Sequence, residues 1–571
     1  MILPKTLKEL AKFSLDLIDN CNASRGQRAT AYRHYAMWIE AGQARQSPAG
    51  PSNYLALANM LYSHVDRLAS HLFSPTDLRF SIDFENRYPK PFLDRANTAS
   101  RVLSREWEAN DIDVDFGMAV KESLYYGSSI PKLNPKKVGD DIKVTCELVM
   151  PWNFGVLNES RNGLDSQEAV CESLYLNQYE VWRHIRNLPN ANDLWRRIWA
   201  HSRREGASSL PSSFMHQVLS TAVIDVNARN PTRPGGIVNM TNMPTYPSTG
   251  PTVPIDIFPM YELYVRDDEK EDDWTTIQVL EPDIVITPND TYRKNLFCPG
   301  ELPYGLVQPN IVAGYFWGRA EIVDLMQLQD WLTEHLIDIR RLVELQVEKF
   351  IGFEGVDAIT DEIYGQMRRP GYVSVPQGAQ IKDLTPPFPE QMIPIVQLIL
   401  QLMDKVSGFP PVMSGEGTPG VRAQAHAETL MKTGSPRLRD RSLLIERQCA
   451  ALADCTLEVL RQKDGRTYWV EPEDTTSNFI LKDLPDDYRV SVDSHSTSPI
   501  YQDDHAQLIN WGVKTGTLGP EDAIEDLPFS HKDRKLQRLR EREIAKQQMI
   551  QQHPELLEEK GGQRKLKAVT G

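Results

Sequence analysis

Residues 414–428 read SGEGTPGVRAQAHAE, and glycines 415, 417 and 420 stand in the G-x-G-x-x-G spacing that lets backbone amides approach a dinucleotide pyrophosphate. That chemistry needs a β-strand before the first glycine and an acidic residue about twenty positions later. Here "LMDKVSGFPPVM" precedes the glycines as a helix ending at a double proline, and the residues about twenty on, Arg437 to Arg441, lie in a basic helical stretch. No cofactor is expected, and the glycines read as a flexible loop between two helices. A second stretch, "DSHSTSPIYQDDH", brings Asp493, His495, Asp503, Asp504 and His505 close in sequence. Such residues could hold a divalent metal and activate a water, as in a metal-dependent hydrolase. No H-E-x-x-H frame accompanies them. The plainer reading ends a strand at "YRVSVDSHS" and starts a helix with Asp503 and Asp504 at its positive end, so no metal is expected. Neither G-x-S-x-G nor a Walker loop occurs, and the twelve histidines have no recurring partner, so the chain is not expected to be an enzyme. The basic run "SPRLRDRSLLIER", with Arg437, Arg439, Arg441 and Arg447, suits either DNA contact or a solvated, ion-paired helix face.

These stretches sit in a chain of 571 residues, long enough for two to four structural units. Hydrophobic content of 40% and charged content of 25% are ordinary for a globular protein. With 63 Lys and Arg against 78 Asp and Glu, the formal charge of −15 argues against wrapping nucleic acid over most of the surface. Six scattered cysteines without C-x-x-C spacing suggest neither a zinc site nor a disulfide framework, and fit synthesis in a reducing cytoplasm. The charges in "MILPKTLKELAKFSLDLIDNC" do not fit a signal peptide, and no eighteen-residue apolar run occurs, so a soluble chain with no membrane partner is expected.

The elements that must position these residues follow from periodicity. "NYLALANMLYSHVDRLASHLF" spaces its leucines at three and four and closes at Pro75; "FLDRANTASRVLSREWEANDIDVDFGMAVKESLYYG" continues as helix to a C-cap at Gly127. "IKVTCELVMPWNFGVLN" and "YELYVRDDEKEDDWTTIQVLEPDIVITPND" are β-rich, with a Pro- and Asn-rich surface excursion over about 186–255 between them. From Gly318, Ile322, Leu325, Leu328, Leu332, Leu336, Ile339 and Leu342 form one apolar stripe on about thirty helical residues, roughly 45 Å. A turn-rich module with strand-like "GYVSV" follows. Then Met392, Val396, Ile399, Met403 and Val406 stripe a second helix, and after the glycine loop a long helix runs to about Lys463, kinked at Gly434-Ser435-Pro436.

This order of helix, small module, returning helix, glycine loop and long helix resembles the portal proteins of tailed bacteriophages. "SLYYGSSIPKL", "VMPWNFGVLNES" and "GELPYGLVQPNIVAGYFWGRAEIVDLMQLQDWL" are similar to that family's passage from wing helix to strand and its approach to the first stem helix; the resemblance covers most of 50–545. It implies an α+β, mainly helical subunit: N-terminal helices and wing over 1–317, a first stem helix over 318–348 and a clip over 349–390. A second stem helix over 391–409, a tunnel loop over 410–420, a kinked helix over 421–463, returning wing strands over 464–498, and crown helices with a mobile tail over 499–571 complete it.

The same resemblance implies a ring, expected to be of twelve copies, at one capsid vertex of the virion, conducting double-stranded viral DNA during packaging and ejection. Its partners would be the terminase large subunit, a head-tail adaptor, and the major capsid and scaffolding proteins. Arg368 and Arg369 are then expected at the clip's docking surface, and Leu332, Leu336, Ile339, Ile399 and Met403 in stem packing. The tunnel loop would include Ser414, Gly415, Glu416, Gly417, Thr418, Pro419 and Gly420, with Ser414, Thr418 and backbone amides giving transient contacts to phosphate, Arg422 the nearest fixed positive charge and Glu416 discouraging tight binding. Physically, two long amphipathic helices around a small module call for copies of themselves to cover their stripes. Twelve subunits at −15 give about −180, an acidic wall along which DNA slides.

Overall fold

In a computed structural model, the structure describes residues 7–21, 58–75, 78–84, 88–138, 141–186, 188, 190–204, 257–266, 274–280, 284–285, 295, 297–347, 351–354, 380–383, 390–407, 436–470, 478–492, 509, 511–514, 519 and 539. The chain begins with helices α1 (Leu7–Asn20) and α2 (Met60–Leu72), strand β1 (Phe80–Phe84), and helices α3 (Lys90–Ala109) and α4 (Ile112–Tyr126). The side chain of Asn59 caps α2 by accepting from the Tyr62 amide. Leu61, Val65, Leu68 and Leu72 recur at helical spacing and are buried in one core with Leu103 and Trp107 of α3 and Phe116 and Val120 of α4. The continuous helix expected over 92–126 is broken at Asn110 and Asp111. Asp111 takes φ 55°, a conformation that Asp tolerates better than most residues, and α4 turns back so that Trp107 and Phe116 meet at 6.3 Å. Gly127 ends α4 at φ 84°, as its sequence position predicts.

Strands β2 (Ile130–Val138) and β3 (Asp141–Val149) form a hairpin, followed by β4 (Phe154–Val156), β5 (Ala169–Asn177) and helices α5 (Gln178–Ile185) and α6 (Ala191–Arg204). Strands β6 (Ile257–Arg266), β7 (Trp274–Leu280) and β8 (Ile284–Val285) complete an antiparallel sheet of order β4-β5-β6-β7-β8. Its faces follow the period of two. Tyr261, Leu263 and Val265 pack with Leu17 and Ile18 of α1, whereas Tyr264 packs on the opposite side with Ile130, Tyr304 and Trp317. The excursion expected over 186–255 begins instead as helix α6, whose Leu194 and Ile198 join Val181 and Ile185 of α5 against Met260 and Leu280. Residues 205–256 lie outside the described residues.

A 3-10 turn over Glu321–Asp324 leads into α7 (Met326–Val347). At 22 residues α7 rises about 33 Å, shorter than expected, because residues 318–325 form an extended segment and a tight turn. Strands β9 (Ile351–Glu354) and β10 (Gln380–Asp383) pair antiparallel, and α8 (Met392–Ser407) follows. Helix α9 (Pro436–Lys463) starts at the proline where a kink was expected, a position that suits a residue lacking an N–H. Residues 421–435, the first arm of that expected helix, lie outside the described residues. Strands β11 (Thr467–Trp469) and β12 (Asn478–Ile480) form a small hairpin, and β13 (Tyr488–Val492) pairs with β1, returning the chain to its N-terminal core.

Candidate functional site

Helices α7 and α8 are the elements on which an assembly reading depends. Ile399 and Met403, late in α8, are buried with Ile322, Leu325 and Leu332 at the start of α7, so the helices run antiparallel. Leu328, Leu336, Val396 and Leu400 pack against the same core, and Ile339 is half-buried. Leu332 is 1% exposed and Ile399 0%. The stripes expected to need neighbouring copies are thus largely covered within one chain, by each other and by the N-terminal helices. What remains uncovered is a different set. Trp331 and Val343 on α7, and Ile393 (53% exposed), Leu398 (50%) and Val406 on α8, present large apolar side chains to solvent. Val406, assigned to the stripe by spacing, belongs to this outward set. Scattered exposed apolar residues are ordinary; these five lie on two adjacent helices, which makes the pair a candidate for contacts beyond the chain.

The base of the pair is fixed to the rest of the chain by polar contacts. Glu321 accepts from the Arg441 guanidinium at 2.7 Å, and both side chains are 5% exposed. Asn310 also donates to Glu321. His64 faces the same place from α2; burial holds it below its ordinary pKa, opposed by Glu321 and assisted by Arg67 and Arg441. Gln329 on α7 accepts from the Met60 amide and donates to the Ala58 carbonyl, so its side chain binds the start of α2 through both ends. Ser128 Oγ accepts from the Gly318 amide and from Gln308, while Gln308 and Gln448 exchange hydrogen bonds between the 302–317 segment and α9. Arg441, considered from sequence as a DNA contact, is therefore part of a buried ion pair. Arg439 and Arg447 of the same run are exposed.

A second buried polar group pins the β2–β3 hairpin to the sheet. Glu172 and Glu262 stand directly opposite each other on β5 and β6, a like-charge pairing that costs stability without a cation. Lys132 supplies one, 2.6 Å from Glu172 and 2.7 Å from Glu262. Tyr304 donates to Glu172 and Tyr264 to Glu262. Burial alone would discharge Lys132, yet the two carboxylates hold its pKa above the ordinary lysine value. For Glu262 burial is outweighed by Lys132 and the pKa falls, whereas for Glu172 burial prevails and it rises. Donors and acceptors are matched, and the group serves as a clamp between layers.

Among the described residues no cluster of three His, Cys, Asp or Glu side chains could hold a metal, and no helix is long and apolar enough to cross a membrane. The residues proposed from sequence for other roles lie outside the described residues: Arg368 and Arg369, the loop from Ser414 through Gly420 with Arg422, and Asp493, His495, Asp503, Asp504 and His505. The chain matches no protein-family model and no curated protein. Sequence reasoning did not find the outward set on α7 and α8, because only a stripe's burial distinguishes its inner from its outer face. It also missed the Lys132 cluster, although a glutamate within the apolar run "AVCESLYL" was a usable signal.

Proposed function

We propose that the chain is a subunit of a ring-shaped portal at one vertex of a viral capsid, a non-enzymatic conduit for double-stranded DNA and a docking platform for the terminase large subunit and a tail adaptor. The observation that carries this reading is the antiparallel pair α7–α8, joined through the small β9–β10 module and bearing exposed Trp331, Val343, Ile393, Leu398 and Val406. Helices packed side by side with large apolar side chains left exposed suit repetition around an axis. The polar base at Glu321, Arg441 and Gln329 holds the pair rigidly on the chain's main core, which favours a fixed angle between copies.

On this reading the β9–β10 module is the clip, the sheet with its helices is the wing, and the glycine loop over 410–420 borders the channel. The acidic balance of the chain suits passage of DNA without retention. Sedimentation of the purified full-length chain tests the proposal. Twelve copies of 65.0 kDa give a single closed species of about 780 kDa. Sedimentation only as a 65.0 kDa monomer across micromolar concentrations would contradict it.

A further inference from the structure

The α5–α6 hairpin carries a charge opposite to that of the chain as a whole. Residues 178–204 contain six arginines and no lysine, against Glu180 and Asp193, a net of +4 with histidines neutral, in a chain of −15. One side of the hairpin is fixed: Val181, Ile185, Leu194 and Ile198 are buried against the sheet. The other side of α5 presents Tyr179, Trp182, Arg183 and Arg186, spaced i, i+3, i+4 and i+7, and all four are exposed, Tyr179 by 67%. Trp182 meets Trp195 of α6 edge to face at 5.4 Å, and Arg196 and Arg197, which follow Trp195, are also exposed. The Trp182–Trp195 contact therefore joins two helices that both expose arginines beside aromatic rings.

Two bland explanations fit this surface poorly. A solvated helix face usually intersperses lysine, arginine and acidic residues, with ion pairs between them. Here Arg183, Arg186 and Arg197 form no ion pair among the described residues, and Arg196 reaches Asp193 only at 4.0 Å with both side chains at least 80% exposed, which holds neither in place. Nor is Tyr179, at 67% exposed, part of the hairpin's buried cluster.

We propose that this face binds single-stranded nucleic acid, with Arg183, Arg186, Arg196 and Arg197 contacting phosphates and Tyr179 and Trp182 stacking on bases. Arginine suits this role through its planar donor fork, and an exposed ring beside it gives a base a face that a paired duplex withholds. The inference does not depend on the portal reading, since ring formation does not enter its readout.

Fluorescence anisotropy of the full-length protein with a labelled twenty-nucleotide oligothymidine, over a series of salt concentrations, tests it. Wild type should bind, with affinity falling steeply with salt. Replacing Arg183 and Arg186 together by Gln should weaken binding at least tenfold and lower the salt slope by about 0.7 for each phosphate no longer neutralised. Tyr179→Ala should weaken binding roughly fivefold or more while leaving the salt slope unchanged. Melting temperatures of all variants should match wild type, because none of these side chains is buried. Absence of wild-type binding, or affinity unchanged in both variants, would overturn the proposal. So would equal competition by a duplex of the same length, or by poly-glutamate with Tyr179→Ala unaffected, which would assign the face to an acidic protein surface.

Discussion

Gly127 and Gly318 pack backbone against backbone where the end of α4 meets the approach to α7. A Cβ on Gly127 would lie 2.0 Å from the Gly318 carbonyl oxygen, and one on Gly318 would lie 2.2 Å from that of Gly127. Neither position has room for a side chain, and the obstructing atoms are backbone. Gly318→Ala should destabilise the chain by about 1–3 kcal/mol through overpacking. Gly127→Ala should lose more, because its φ of 84° adds a further penalty of roughly 1–2 kcal/mol. Thermal unfolding of the two variants, compared with Gly163→Ala, which is strained at φ 82° but meets nothing within 4 Å, separates crowding from conformation.

The Glu321–Arg441 pair predicts an asymmetry between single and double substitutions. Glu321→Gln or Arg441→Met alone leaves one buried charge unmatched and should cost about 3–5 kcal/mol. The combination Glu321→Leu with Arg441→Met removes both charges and should recover much of that loss. Chemical denaturation of the three variants measures this. Additive losses in the double variant would show that the two groups do not act as a pair.

Three partly buried carboxyl groups make a pH-dependent contribution to stability. Burial raises Glu122 to about 7 and Glu301 to about 7, the latter also through Asp454 and Glu458, and burial with Glu458 raises Asp454 to about 6. Glu458 pairs with Arg461 and accepts from Tyr488. A carboxyl with a folded pKa above its unfolded value contributes stability at low pH, and the contribution is lost as pH rises through the folded pKa. The contribution of these three groups should therefore fall from about pH 4.5 to about pH 7, against the opposite contribution of buried His64. Combining Glu122→Gln, Glu301→Gln and Asp454→Asn should flatten that slope, and denaturation midpoints at pH 5 and pH 7.5 check it.

Inner and outer residues of the helix pair should behave differently on substitution. Leu332→Asp or Ile399→Asp places a carboxylate in the chain's own core, and the expected result is misfolded subunit rather than folded monomer, at a cost of several kcal/mol. Ile393→Ser with Leu398→Ser changes only exposed positions, so melting of the isolated chain should hold within about 0.5 kcal/mol per site while association weakens. Calorimetry and sedimentation on the same samples separate the two effects.

Local pattern was legible where the cause is local. The helical steps in α2, the stripes of α7 and α8, the C-cap at Gly127 and the strand-rich character of β3, β4, β6 and β7 all follow from neighbours within a few residues. Helix α6 was also readable, since Ala191, Leu194, Trp195 and Ile198 keep helical spacing, but the Pro and Asn residues around it obscured the pattern. The break at Asp111 was not readable, because an Asn-Asp pair within a good helical sequence is compatible with either outcome. Contacts distant in sequence were beyond reach: β13 pairs with β1, Arg441 finds Glu321 120 residues away, and Lys132 finds Glu262 at a separation of 130. For the same reason the stripes on α7 and α8 were read as needing neighbouring copies, whereas the N-terminal helices cover much of them.

Negative-stain electron microscopy of the purified full-length protein tests the central claim most directly. The account predicts top views of a closed ring with a central hole, expected to show twelve repeats, and side views with a narrower waist at the helix pair. Compact particles of one subunit's size, or assemblies without a central hole, would contradict it.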